Sequence, residues 1–284
     1  MFTVINYLLL TGLAAVCMLP FLHVLSISLS SAQEVAAGRV GLYPAKFTWA
    51  SYETVFGSAG YMKASLVSLE RIALGVSLNM LLTVLLAYPL SKESGQFRMR
   101  TVYVWLFILP MLFSGGMIPT YMIVKETGLI DSIWALILPN AVPIFNVVLL
   151  LNFFRGIPRE MEESAKIDGA NHFTIMWRIY VPVSMAGLAT VFLFAVVAHW
   201  NSWFDGMIYL NSPKDYPLQT YLHMSFTVKD FSEMTPEELE HYFKVDDRTG
   251  RAAQIFVAAL PILLVYPFLQ RHFMKGIVLG SVKE

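Results

Sequence analysis

The sequence predicts an all-α, polytopic membrane protein with about six transmembrane helices, and three observations carry that class. Of its 284 residues, 56% are hydrophobic and 14% charged, and the mean hydropathy is +0.59, a composition foreign to water-soluble domains. Six stretches are apolar over the roughly 20 residues that a helix needs to cross the hydrocarbon core. Charge is balanced, twenty basic against twenty acidic side chains, so no overall field points to nucleic acid or to a peripheral membrane surface as partner.

The first span, about 4–29, exceeds the apolar core of a secretion signal and no Lys or Arg precedes it, so it is expected to be retained rather than cleaved. It carries the one cysteine, Cys17, which lacks a second thiol for a disulfide and reads as a small packing residue. The second span, 72–90, follows the adjacent charges Glu70 and Arg71. These are expected to pair with each other or with an external receptor, because ionisable groups there must face protein or water. Spans at 102–124, 133–154, 181–199 and 252–270 complete the set. Pro20, Pro110, Pro119, Pro139, Pro143, Pro182, Pro261 and Pro267 interrupt or bracket them. Each removes a backbone donor, which favours kinked helices around a cavity, although membrane helices also tolerate proline without such a role.

Six spans place both termini on one side. With the termini inside, inner and outer connections each hold ten Lys and Arg, but the inner ones total 51 residues and the outer ones 102. The doubled basic density predicts cytoplasmic termini in a bacterial inner membrane. The outer connection 202–251 is long, with nine acids against five bases. Within it, "SEMTPEELEHYF" predicts a short helix with Thr235 as N-cap, Pro236 in the first position, and Glu237 and Glu238 complementing the dipole. A single membrane domain over 1–284, with an inner loop at 155–181 and this outer loop, is the expected organisation.

Several chemistries have no foothold. The dipeptide Gly-Lys is absent, so there is no phosphate-cradling loop of the G-x-x-x-x-G-K-[ST] type, and there is no G-x-S-x-G elbow. His23, His172, His199, His223, His241 and His272 lack the i, i+4 spacing of a zinc helix, and read as interfacial or hydrogen-bonded residues. No useful internal repeat supports a carrier built from matched halves.

The inner loop concentrates what charge the chain has. In "RGIPREMEESAKIDGANHFTIMWRIYVP", Pro158 suits a helix start, acids at 160, 162 and 163 fall in the first turns, and Gly169 suits a C-terminal cap. The expectation is a short helix, a glycine turn and a second helix. Ile157, Met161, Ala165 and Ile167 give the first helix an apolar face, with Glu163 and Lys166 on a polar one. So short a helix needs something to pack on.

Glu163-Ser164-Ala165, three residues, Gly169, nine residues, then Ile179, Val181 and Pro182 resembles the E-A-A-x-x-x-G-x9-I-x-L-P loop of permease subunits of binding-protein-dependent ABC importers. Ser164 stands for the usual first Ala and Val181 for Leu. The passages "LPFLHVLSISLSS", "TVLLAYPLSK", "LPMLFSGGMIPTYMIVKETGLIDSIWALILP" and "PILLVYPFLQRHFMKGIVLGSVKE" are similar to the second permease of carbohydrate importers. "FSGGMIPTY" and "YPFLQ" lean toward the polysaccharide, alginate-type branch. The resemblance implies a type I importer permease architecture, a second homologous permease, an ATPase dimer that binds ATP and magnesium, and an extracytoplasmic solute-binding protein. No cofactor belongs to this chain, and the surrounding lipid is its other partner. It implies further that Glu163, Ser164, Ala165, Asp168, Gly169, Ile179 and Pro182 couple the chain to the ATPase. In that role Glu163 is the polar anchor and Gly169 the turn between two loop helices. Taken alone, Glu163 also reads as a solvated helix-start acid.

"VVAHWNSWFDG" sets Trp200, Trp203 and Phe204 beside Asn201 and Asp205 at the outer end of the fifth span. Aromatic faces with amide and acid partners suit a sugar path, and they equally suit an interfacial aromatic belt. Two other readings stand beside the carbohydrate importer. A secondary carrier predicts ionisable groups in mid-span, of which the spans show almost none. The other is an ABC permease for a non-sugar solute.

Overall fold

A computed structural model describes residues 2–93, 95–113, 115–227 and 248–281, with side chains up to Pro267. Among the described residues the secondary structure is helical apart from one isolated bridge, Ser30 to Phe47. The predicted helix at 232–243 lies outside the described residues.

The chain divides into two compact units, residues 1–65 with 221–263 and residues 66–220 with 264–284. In the first, α1 (Phe2–Ser28) has an 18-residue window of hydropathy 2.2, none of it buried. A 27-residue helix that shows apolar side chains on every side is stable in lipid and not in water. Pro20 lies inside it without ending it. Cys17, expected to pack, is on its exposed surface. After α1 come the short helices α2 (Ala32–Ala36) and α3 (Ala50–Gly57). Glu34 there takes Arg39 Nε at 2.5 Å and Lys46 Nζ at 2.8 Å. Tyr52 Oη lies 2.8 Å from Ser28 Oγ.

The second unit holds most of α4 (Ala59–Ser91), which begins well before residue 72, where hydropathy alone starts the span. The unit continues through α5 (Arg100–Leu112), α6 (Met117–Glu126), α7 (Ile133–Ile137) with a 3₁₀ turn to Asn140, and α8 (Ile144–Arg155). The loop follows as α9 (Arg159–Ile167), α10 (His172–Ile175), a π-helical turn (Met176–Tyr180) and α11 (Val181–Val183). The fifth span is α12 (Met185–Asn201), and α13 (Phe204–Tyr209) and α14 (Leu218–Thr227) come after it. The last long helix, α15, runs from Arg248 to Ser281.

Among the described residues three helices are long and apolar enough to cross a membrane, or up to six if each bent pair is one span. The fourth span bends by 49° where Pro143 caps α8, and the fifth by 84° at Ser184. Pro89, Pro110 and Pro20 are carried inside helices, so proline marks a bend in some spans and not in others.

A core in this unit joins Val84, Ala87 and Leu90 of α4 to Leu150 and Phe154 of α8, Ile175 and Tyr180 of the loop, and Val191 of α12. Two glycines let these helices meet. A Cβ on Gly75 would lie 2.6 Å from the His199 ring, and one on Gly187 would lie 2.6 Å from Phe153.

Candidate functional site

The 155–181 loop has the predicted helix–glycine turn–helix form, and local signals explain why. Pro158 caps α9, Glu160 and Glu162 occupy its first turn, and Lys166 its last. The helix ends in a Schellman turn: Gly169 N–H donates to Lys166 O at 3.0 Å and Ala170 N–H to Ala165 O at 2.9 Å, with Gly169 at φ +79°. Asn171 Oδ1 then accepts from Thr174 N at 2.8 Å and starts α10.

The inward face of α9 differs from the expected one. Ile157 and Ala165 pack on the core, but Ile167 is 86% exposed and Met161 is also on the surface. The side chain that turns inward is Glu162, 6% exposed. Residues 162 and 165 are three apart and share a face, whereas 163 is rotated by about 100° from 162.

Glu162 Oε2 accepts from Lys92 Nζ at 2.6 Å and from Tyr180 Oη at 2.6 Å, and Lys92 Nζ also donates to Tyr180 Oη at 2.8 Å. Lys166 Nζ lies 2.8 Å from Glu162 Oε1. The ammonium of Lys92 sits 4.1 Å from the Tyr88 ring centre and 4.0 Å from that of Tyr180, a cation–π cage. Burial opposes charge on Glu162, but Lys166, Lys92 and Tyr180 outweigh it and hold the carboxyl down at about 2. Removing one partner of such a buried pair costs about 3–5 kcal/mol, because the other charge is left unpaired. Beside it opens a cavity of about 440 Å³, lined among others by Arg100, Arg155, Arg159 and Glu163.

The residues that the resemblance marks for coupling fall into two groups. Glu163, Ser164, Asp168 and Gly169 are exposed at the tip, beside Ile167 and Phe173, the latter 67% exposed. Ala165 and Ile179 pack on the core, and Pro182 is exposed in α11. Sequence reasoning missed Glu162, Lys92 and Tyr180. The available signal was Lys92 itself, a lone cation closing the apolar run "TVLLAYPLSK".

At the C-terminal end of α12, Trp200 is buried, while Asn201, Trp203 and Phe204 are exposed. The Trp203 and Phe204 rings meet edge to face at 5.5 Å. Asp205 is held by Arg71, which is 2% exposed: Nη1 donates to Oδ1 at 3.1 Å and Nη2 binds Oδ2. Ser202 Oγ and Gly206 N–H each donate to Oδ1 at 2.9 Å. Arg71 therefore pairs with Asp205, 134 positions away, instead of with the neighbouring Glu70, which is exposed. Arg71 Nε also donates to His199 Nδ1 at 3.4 Å, so His199 is neutral and carries its proton on Nε2, 2.8 Å from Asn79 Oδ1. Asn79 Nδ2 in turn donates to the carbonyls of Asn140 at 3.0 Å and Ala141 at 2.8 Å, freed where the fourth span bends. His199 is thus a hydrogen-bonded residue, as its isolation in sequence suggested. Among the described residues no group of three or more His, Cys, Asp or Glu side chains gathers to hold a metal.

Comparison with known proteins adds to this geometry. The sequence model described as "Binding-protein-dependent transport system inner membrane component" matches residues 72–278. The chain is 40% identical over 283 residues to the polygalacturonan/rhamnogalacturonan transport system permease protein YtcP of Bacillus subtilis, covering 100% of this chain and 98% of that protein. It is 27% identical to the lactose transport system permease protein LacG of Rhizobium radiobacter, over 99% of this chain and 96% of that one. Among solved structures it is similar to a chain of a bacterial ABC transporter involved in the import of the acidic polysaccharide alginate. The TM-score is 0.87 at 30% identity, over 96% of each chain.

Proposed function

The chain belongs to the family of binding-protein-dependent transport system inner membrane components, and from that premise we propose that it carries fragments of an acidic, uronate-containing polysaccharide into the cell. It is the permease subunit of an ABC importer and not an enzyme; ATP is hydrolysed by a separate partner. The observation that carries the substrate class is the 40% identity, over the whole chain, to a permease named for polygalacturonan and rhamnogalacturonan. The likeness to an alginate importer chain points to the same acidic chemistry. A neutral oligosaccharide is the second reading, favoured by the lactose permease at 27% identity.

In this reading the termini and the 155–181 loop face the cytoplasm, and the tip of the loop docks on the ATPase. The exposed set of Glu163, Ser164, Ile167, Asp168 and Phe173 supports a docking face, since apolar side chains on so short an extramembrane helix find no other cover. Gly169 sets the angle between the two loop helices, with Ala165 and Ile179 holding the loop to its base and Pro182 at the start of α11. Asn201, Trp203 and Phe204 are the exposed outer groups available to a sugar path; Trp200 and Asp205 support it from behind. The partners are a second permease, the ATPase dimer and an extracytoplasmic binding protein.

The test is uptake into proteoliposomes holding the complete complex and its binding protein. Uronate oligomers should enter and neutral oligomers of equal length should not; the reverse preference overturns the acidic reading. Glu163→Lys should abolish ATP hydrolysis coupled to transport while the chain still inserts, and unchanged transport would remove the docking role.

A further inference from the structure

We propose that Glu162, Lys92 and Tyr180 form the joint through which movement of α9 reaches the membrane helices, Glu162 and Lys92 acting as positioning residues distinct from the docking face. This rests on the reading of the loop tip as the ATPase contact.

The geometry separates two faces of one helix. Outward, α9 presents Glu163, Ser164 and Ile167. Inward, a single carboxylate oxygen of Glu162 accepts from two elements at once, Lys92 at the end of α4 and Tyr180 at the entry to α12. Because Lys92 also donates to Tyr180, the three side chains close a ring of hydrogen bonds. A shared oxygen cannot follow one partner and leave the other without breaking a hydrogen bond between buried side chains. The Tyr88 and Tyr180 rings enclose the ammonium and meet edge to face at 5.0 Å, and Phe154 closes on Tyr180 at 5.4 Å.

The cavity of about 440 Å³ beside Glu162 leaves α9 unpacked on one flank. Apolar contact through Ile157 and Ala165 permits sliding into that space, because dispersion and burial are not directional. The ion pair does not permit it. A push on the tip is therefore delivered to α4 and α12 together rather than lost in a local shift. The π-helical turn at Met176–Tyr180 is the element that presents the Tyr180 hydroxyl, and such turns frequently mark functional positions.

The experiment compares Glu162→Gln, Lys92→Met, Lys92→Arg and Tyr180→Phe in the complete complex. It reads assembly, basal ATP hydrolysis, hydrolysis stimulated by the loaded binding protein, and uptake. Glu162→Gln and Lys92→Met should assemble and keep basal hydrolysis within about twofold while losing stimulation and uptake about tenfold or more, the size of an ordinary coupling free energy. Lys92→Arg should recover most of both. Uptake near that of the unmodified complex in Glu162→Gln overturns the joint, and so does a parallel fall of basal and stimulated hydrolysis in assembled complex, or no recovery in Lys92→Arg. Should Glu162→Gln fail to assemble, Tyr180→Phe decides, since it keeps the ring and deletes one hydroxyl: uncoupling supports the joint and full coupling overturns it. An unmodified complex that no loaded binding protein stimulates would count against the importer reading itself.

Discussion

Arg71 lies 12 residues into α4 and Lys92 directly after its last residue, and each is a buried cation facing a carboxylate far away in sequence. About 21 residues of helix separate them, some 30 Å, the thickness of a bilayer core. Arg71 is locked to Asp205, His199 and through it Asn79, all within membrane helices or their immediate ends. Lys92 is locked to a helix that lies outside the spans and turns its other face to solvent. The same chemistry thus closes one end of the helix pair and leaves the other end answerable to an outside push. Burial of an ion pair does not define its role; what lies behind the second partner does.

The largest effect should come from breaking the closed end. Asp205→Ala strands a buried guanidinium, and a loss of about 3–5 kcal/mol is expected, read as a lower melting temperature of the purified chain in detergent. A melting temperature unchanged by Asp205→Ala would return Asp205 to the sugar path as an independent group. Next in size is Gly75→Ala, whose new methyl would meet the His199 ring at 2.6 Å. Overpacking of this kind costs about 1–3 kcal/mol, and His199→Ala in the same chain should restore part of the loss by making room. If the two substitutions add independently, the α4–α12 contact is not the one described. At the open end, Gly169→Val forces a branched side chain into φ +79°, at about 1–3 kcal/mol of local strain. Insertion and melting should change little while stimulated hydrolysis falls; a melting change as large as that of Asp205→Ala would erase the distinction between the two ends.

The smallest effect sharpens the comparison with a carboxylate whose two cation partners, Arg39 and Lys46, are exposed. Hydrogen bonds from Arg39 and Lys46 hold the Glu34 carboxyl down at about 2. Its folded value is below the ordinary one near 4.5, so its contribution is complete above that value and is lost as pH falls toward 2. Glu34→Gln should lower the melting temperature slightly at pH 7, and the gap should shrink at pH 3 and in high salt. A gap independent of salt would place Glu34 with the buried pairs.

Much of this was legible from local signals. Hydropathy predicted the all-α membrane class, and the start and stop residues of α9, Pro158 and Gly169, predicted a helix and turn that the chain forms, because caps act within one turn of themselves. The choice between Glu162 and Glu163 was not legible. Both are acids in a first turn, and only the position of Lys92, 70 residues earlier, decides which one is drawn inward. Placing Ile167 on the packed face failed for a related reason: an apolar residue at the last position of a helix can serve an outside partner as well as its own core. Sequence pairs Arg71 with its neighbour Glu70 or with an external receptor, whereas adjacent residues on a helix point about 100° apart and the acid that satisfies it is 134 positions away in the same chain.

Cys17 is the chain's one thiol and lies on the exposed surface of α1. A reporter attached there needs no other residue replaced. A spin label or fluorophore at that position would measure depth in the bilayer and distance to a labelled partner on the otherwise unmodified permease, which makes the least packed helix of the molecule its most convenient ruler.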